Sequence, residues 1–338
     1  MRIAAIILLL AASVLAGTAD EDWTALIALD AGPGVQPATA DEARDIALGH
    51  LKMQESALRG FLSKHGGDNR SFEARFRLVR LLNMRADMTS SPPPAEVERL
   101  LDAAKAAAST PAENTELAFA LLTQRMRAGR GRRPTADERR DLLKSVREFQ
   151  KAHPKDRRIP ALLVEVANPF EAEPATKLSL IVEAKKLTED SALLAQIADD
   201  QKRLALVGKK LPLRFIALDG KRHAVEDWAG KPAVILFFAT WSKPSAAIFR
   251  EVGDTAKKAG AVLVAISLDA DRAALDQFLR ESRTSAIVAC DGKGWNSPLI
   301  LALGLNAIPA TWVLDKDGVL RSLDALDDLA GLLRKLAS

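Results

Sequence analysis

The pattern of the chain changes once, near residue 208, and that change sets its architecture. From about residue 21 to 208 apolar residues recur at spacings of three and four, as in Phe72, Phe76, Val79 and Leu82, or Leu142, Leu143, Val146 and Phe149. Such spacing predicts amphipathic helices. After residue 208, short β-type runs alternate with helical segments: Arg214 to Leu218, Ala233 to Ala239, Ala261 to Ser267, Ala286 to Ala289, Thr311 to Asp315 and Val319 to Ser322. Helices are predicted at Lys243 to Lys258, Ala270 to Glu281 and Ala325 to Leu336. The expected fold is two-domain: an N-terminal all-α array of helical hairpins (20–208), then an α/β domain (209–338) whose first strands pair in parallel through right-handed crossovers.

The 338 residues suffice for two cores, and 48% hydrophobic with 27% charged residues is a globular balance. A net charge of +4 does not imply nucleic acid. Residues 1–19 read as a signal peptide: Arg2, an apolar run from Ile3 to Leu15, and small residues through Ala19 before Asp20-Glu21-Asp22. The run is too short to span a bilayer comfortably, so the expectation is an exported, periplasmic or secreted protein without a transmembrane span in the mature chain. Cys290 is the single cysteine, so no intrachain disulfide is available.

The helical region contains an internal echo. Arg59 to Arg70 (RGFLSKHGGDNR) and Arg147 to Arg158 (REFQKAHPKDRR) carry Arg, Phe, His, Asp and Arg at matching places, each reading as a helix end, a His-x-x-Asp loop and a new helix. This resembles tetratricopeptide-type arrays. Breaks fall at Gly66-Gly67, Thr89 to Pro94, Ser109 to Pro111 and Ala128 to Thr135, and Thr135 with Glu138 forms a capping-box signature. His65 and His153 are expected to have paired structural roles rather than to share a metal.

In the second region, GKPAVILFFATWSKPS (Gly230–Ser245), VLVAISLDADRAALDQFL (Val262–Leu279) and NAIPATWVLDKDG (Asn306–Gly318) follow one another in order before a closing helix. Together they resemble the exported thioredoxin-like domains of the TlpA/ResA kind. The resemblance covers about residues 209–338 and implies a thioredoxin fold, a cis proline at Pro309 after Ile308, and an active-site motif at Trp241-Ser242-Lys243-Pro244-Ser245. The family carries Cys-x-x-Cys there, its first thiolate stabilised by a helix N-terminus. Ser242 and Ser245 stand in those places, and a hydroxyl cannot form a disulfide.

The sequence therefore leads to an expectation of a redox-inactive, non-enzymatic module. It would bind an exported protein or peptide across Trp241, Ser242, Lys243, Pro244, Ser245, Ile308 and Pro309, without cofactor or metal. The alternative is a thiol-dependent oxidoreductase or peroxidase acting through Cys290 alone, with Lys293 the nearby positive charge in sequence. The plainer readings are that Ser242 is an N-cap, Cys290 a small core residue, and Asp315 with Asp317 a hairpin turn rather than a calcium loop. Serine hydrolysis lacks a base, since His223 is the only histidine of the region. The arginines at 125, 127, 130, 132 and 133 form either a solvated loop or an anion-binding face.

Overall fold

A computed structural model describes residues 17–92, 94–129, 132–282 and 284–337. Most of the predicted signal segment, and Arg130 of the arginine run, lie outside the described residues. The chain forms two compact units, residues 1–128 and 129–338.

The first unit holds α1 (Ala19–Ala28), α2 (Ala40–Lys64), α3 (Ser71–Met88), α4 (Glu96–Ala107) and α5 (Pro111–Ala128). Thr18 caps α1 in a reciprocal box with Glu21, and Thr39 caps α2 by accepting from the Glu42 N–H at 3.1 Å. Leu58, Phe61, Phe72, Phe76, Leu78 and Leu82 face one another across the α2–α3 hairpin and are buried.

The second unit opens with α6 (Ala136–Ala152), α7 (Ile159–Ala167), α8 (Pro174–Lys186) and α9 (Ser191–Leu204). The echo in the sequence is an echo in the backbone. At the ends of α2 and α6, His65 and His153 donate their N–H to Phe61 and Phe149 at 2.7 and 2.9 Å. Asp68 and Asp156 then each accept from the backbone and guanidinium of the arginine two residues on. The α2–α3 and α6–α7 pairs are thus each linked by a turn of the same kind.

The sheet follows, with β1 (Arg214–Ile216) and β2 (Arg222–Ala224) as a small antiparallel hairpin. A five-stranded sheet contains β3 (Ala233–Phe238), β4 (Val262–Ser267), β5 (Ile287–Ala289), β6 (Ala310–Leu314) and β7 (Leu320–Ser322) in the order β5-β4-β3-β6-β7. As expected, β3 and β4 are parallel, as are β4 and β5; β6 and β7 are antiparallel. Between the strands run α10 (Lys243–Lys258), α11 (Arg272–Ser282) and α12 (Pro298–Leu303), and α13 (Leu329–Ala337) closes the chain. Every residue of β3 is buried, as both faces of a central strand require. Val234, Leu236 and Phe238 pack toward Phe249, Val252 and Leu333, while Phe237 turns the other way to meet Trp312 at 5.0 Å between ring centres.

The change of pattern at 208/209 is a change of secondary structure, whereas the compact units meet at 128/129. The reason lies in α8 and α9. Lys177 and Asp200 are fully buried and Arg203 is nearly so; they form a charge cluster with Glu171, in which Lys177 pairs with Glu171 and with Asp200 (3.3 Å), and Arg203 with Asp200 and with Glu171 (2.6 Å). Arg203 also donates to the Gly304 carbonyl at 2.7 Å, and Asn306 donates to Asp200 at 3.1 Å. The helices are thereby bound to the loop that leads into β6. Gly304 has φ +66°, and a methyl group there would sit 2.9 Å from the Asp199 carbonyl, so α9 and this loop touch backbone to backbone. None of the described helices is long and apolar enough to cross a membrane.

Candidate active site at the carboxyl edge of the sheet

Because β3, β4 and β5 run in parallel, their carboxyl ends lie along one edge of the sheet, where ligands bind in open α/β folds. The chain leaves β3 through Ala239-Thr240-Trp241 and enters α10 at Lys243, with Ser242 in extended conformation at the N-cap position. Ser242 is a cap by position alone, since its hydroxyl makes no capping bond. Its carbonyl accepts the Ser245 N–H at 2.9 Å. Ser245 is 1% exposed, and its hydroxyl accepts from the Ala239 N–H at a long 3.5 Å. Trp241 is 59% exposed, and Lys243 and Pro244 are exposed as well. The Ile308–Pro309 bond is cis, and both residues are half-buried at the start of β6.

A carboxylate that the sequence reading did not single out holds this turn. Asp269, 2% exposed beyond the end of β4, accepts the Thr240 N–H at 3.0 Å, the Thr240 hydroxyl at 2.6 Å and the Ser267 hydroxyl at 2.7 Å. Three donors satisfy a buried charge that would otherwise be costly. The backbone carbonyl of Asp269 accepts from the Cys290 thiol at 3.2 Å. Asp269 therefore connects the turn after β3 with the cysteine after β5.

Cys290 is half-buried rather than a fully enclosed core residue. It lines a cleft of about 660 Å³ together with Phe215, Ser267, Arg272, Lys293 and Leu299. Lys293, noted from sequence proximity, shares the cleft. The remaining polar candidates have structural explanations. Asp315 accepts the Asp317 and Val319 N–H groups at 2.9 and 3.0 Å, with Gly318 at φ +80°, which is a turn. His65 pairs with Asp22 at 3.0 Å. Arg127 is bound to Asp87, Arg132 to Glu138, and Arg133 to Asp324 and Asp327. Among the described residues no three or more His, Cys, Asp or Glu side chains cluster as a metal site.

A family model described as Redoxin matches residues 206–331. Residues 206–331 are a thioredoxin-like Redoxin domain. Among curated proteins, this domain is similar to the thiol-disulfide oxidoreductase ResA of Bacillus thuringiensis subsp. konkukian, 28% identical over 116 residues, or 33% of this chain and 65% of the relative. It is similar also to the thiol:disulfide interchange protein DsbE of Pseudomonas aeruginosa, 28% identical over 120 residues, 35% of this chain and 65% of the relative. The chain thus spans just under two thirds of the length of these relatives. Among solved structures, a thiol-disulfide oxidoreductase from Bacteroides fragilis aligns at 20% identity over 38% of this chain and 98% of that chain, with a TM-score of 0.35.

These relatives correct one expectation. The expectation of a non-enzyme rests on serine at 242 and 245, where the resemblance implies cysteine, but the curated relatives are named as enzymes of thiol-disulfide chemistry. Serine at two positions removes a disulfide between those positions. It says nothing of a thiol elsewhere on the same edge.

Proposed function

We propose that this chain is a thiol-dependent oxidoreductase in which Cys290 is the reacting group. The observation that carries the proposal is the position of Cys290: at the carboxyl end of β5, joined through Asp269 to the turn between β3 and α10, and opening onto a cleft. In the step envisaged, Cys290 gives up its proton to solvent base and its thiolate attacks one sulfur of a substrate disulfide. The other sulfur leaves as a thiolate, and a mixed disulfide remains on Cys290. A second substrate thiolate then attacks that mixed disulfide, restoring Cys290 and forming the product disulfide. One protein thiol suffices, because the resolving sulfur comes from the substrate.

The exposed Trp241 favours a companion role for the turn from Trp241 to Ser245: with Ile308 and Pro309 it supports binding of an extended exported polypeptide, bringing its sulfurs to this edge. We further read the chain as exported, from the Arg2-led apolar N-terminus, and α1–α9 as a tetratricopeptide-type array, from the repeated His-x-x-Asp turn. The test is exchange between oxidised glutathione and a fluorescent peptide thiol, followed with the full chain and with Cys290→Ser. Turnover lost in the variant, with a mixed disulfide on Cys290 detected by mass spectrometry in the wild type, supports the reading. Equal rates in the two proteins overturn it.

A further inference from the structure

The first unit contains a second site of different chemistry. A pocket of about 360 Å³ lies where α2 and α3 meet the segment that follows α1, and His50, Met84 and Met88 line it together with Pro33, Val35 and Ile46. Met84 and Met88 are four residues apart on α3, so their thioethers lie on one face of the helix. His50 is on the facing helix and is nine-tenths buried. Its Nε2 lies 2.8 Å from the carbonyl oxygen of Leu29, an acceptor, so Nε2 carries a proton, and in the neutral ring Nδ1 presents a lone pair. That Nδ1 is buried with no hydrogen-bond partner among the described residues.

An orphaned imidazole nitrogen whose other ring nitrogen is anchored on a backbone carbonyl is the arrangement that orients histidine toward a metal. The remaining donors decide which metal. Thioether sulfur is soft and selects Cu(I), while zinc, calcium and magnesium prefer thiolate, imidazole or oxygen sets. The hard oxygen nearest in kind, the carboxylate of Asp30 in the same pocket, is already held by Arg77 at 2.7 Å. Methionines that merely filled a gap in the hairpin would not require a histidine stripped of one hydrogen bond beside them.

We propose that this pocket binds one Cu(I) ion through Met84 Sδ, Met88 Sδ and His50 Nδ1. The proposal is independent of the role of Cys290, and its test removes that other soft ligand. Full-length Cys290→Ser protein is titrated with Cu(I) under anaerobic reducing conditions against the chromophoric chelator bicinchoninate. One equivalent is expected to be retained, and Met84→Leu with Met88→Leu should weaken it by at least about tenfold. Leucine keeps the volume of methionine, so the fold survives the change. As a second readout, Ag(I) should shift the ¹³C methyl signals of Met84 and Met88 and leave those of Met53 and Met126 in place. No copper held against the chelator, an affinity unchanged in the double variant, or shifts confined to Met53 and Met126 would each overturn the assignment.

Discussion

Asp269, itself 2% exposed, accepts both the backbone N–H and the hydroxyl of the half-buried Thr240, at 3.0 and 2.6 Å. This pair holds the turn that leads from β3 into α10, and the strength of the hold is measurable. Asp269→Ala would leave the Thr240 N–H and the Thr240 and Ser267 hydroxyls without their acceptor. Unpaired buried donors cost about 1–3 kcal/mol each, and partial rehydration offsets some of this, so a loss of about 3 kcal/mol is expected. Urea unfolding should show it, and Asp269→Asn should recover part of it. A loss below about 1 kcal/mol would mean that the turn stands without the carboxylate.

The geometry around Ser242 and Ser245 predicts the behaviour of sulfur placed there. In a Cys290→Ser background, Ser242→Cys should titrate below the unperturbed thiol value of about 8.5, because α10 begins at the next residue and its N-terminus favours an anion. Ser245→Cys, at a position 1% exposed, should react far more slowly with a thiol reagent. The double variant should oxidise to an intramolecular disulfide. Thiol titration and mass spectrometry decide each point; a double variant that stays reduced under oxidant contradicts the geometry.

Acid should weaken the first unit through Asp68. The guanidinium and backbone N–H of Arg70 hold its carboxyl at about 2, below the ordinary 3.8. A depressed carboxyl stabilises the folded state above its unfolded value, and the contribution disappears as pH falls from about 4 through about 2. Asp68→Asn should flatten the dependence of the urea midpoint on pH in that window. An unaltered slope would show that Asp68 titrates alike in both states.

Lys177 is buried between Glu171 and Asp200. Lys177→Met removes one partner of a buried charge cluster and leaves Arg203 alone to compensate two carboxylates, which costs about 3 kcal/mol, at the lower end of the cost of breaking a buried pair. Thermal unfolding of the full chain checks this. A stability within about 1 kcal/mol of the wild type would show that the cluster is dispensable.

Much of the α/β half was legible in its sequence because the signals there are local. The apolar run of β3 and the Pro244 that opens α10 mark a strand and a helix start wherever they occur, and α10 spans the predicted Lys243–Lys258. By contrast α12 was not anticipated, since Pro298–Leu303 is a short apolar stretch whose period cannot separate helix from strand. The charge cluster was unreadable for another reason. Lys177, Asp200 and Arg203 look like the solvated faces of amphipathic helices, and only the packing of α8 and α9 buries them. Within the site, the motif positions could be found through resemblance, whereas Asp269 and Thr240 are distant in sequence and nothing local to either announces the other. His50 likewise reads as an ordinary helical residue until the Leu29 carbonyl takes one of its nitrogens.

The close approach of α9 to Gly304 bears on what part of this chain can be moved intact to another protein. A graft limited to the span that resembles known families, residues 206–331, would be cut just beyond α9. It would leave the Gly304 carbonyl without its guanidinium and Asn306 without its carboxylate. The reverse graft, α6–α9 alone, would bring a matched set of charges into water with nothing to cover them. The transplantable piece is longer than the recognisable one, and its seam lies ahead of α6.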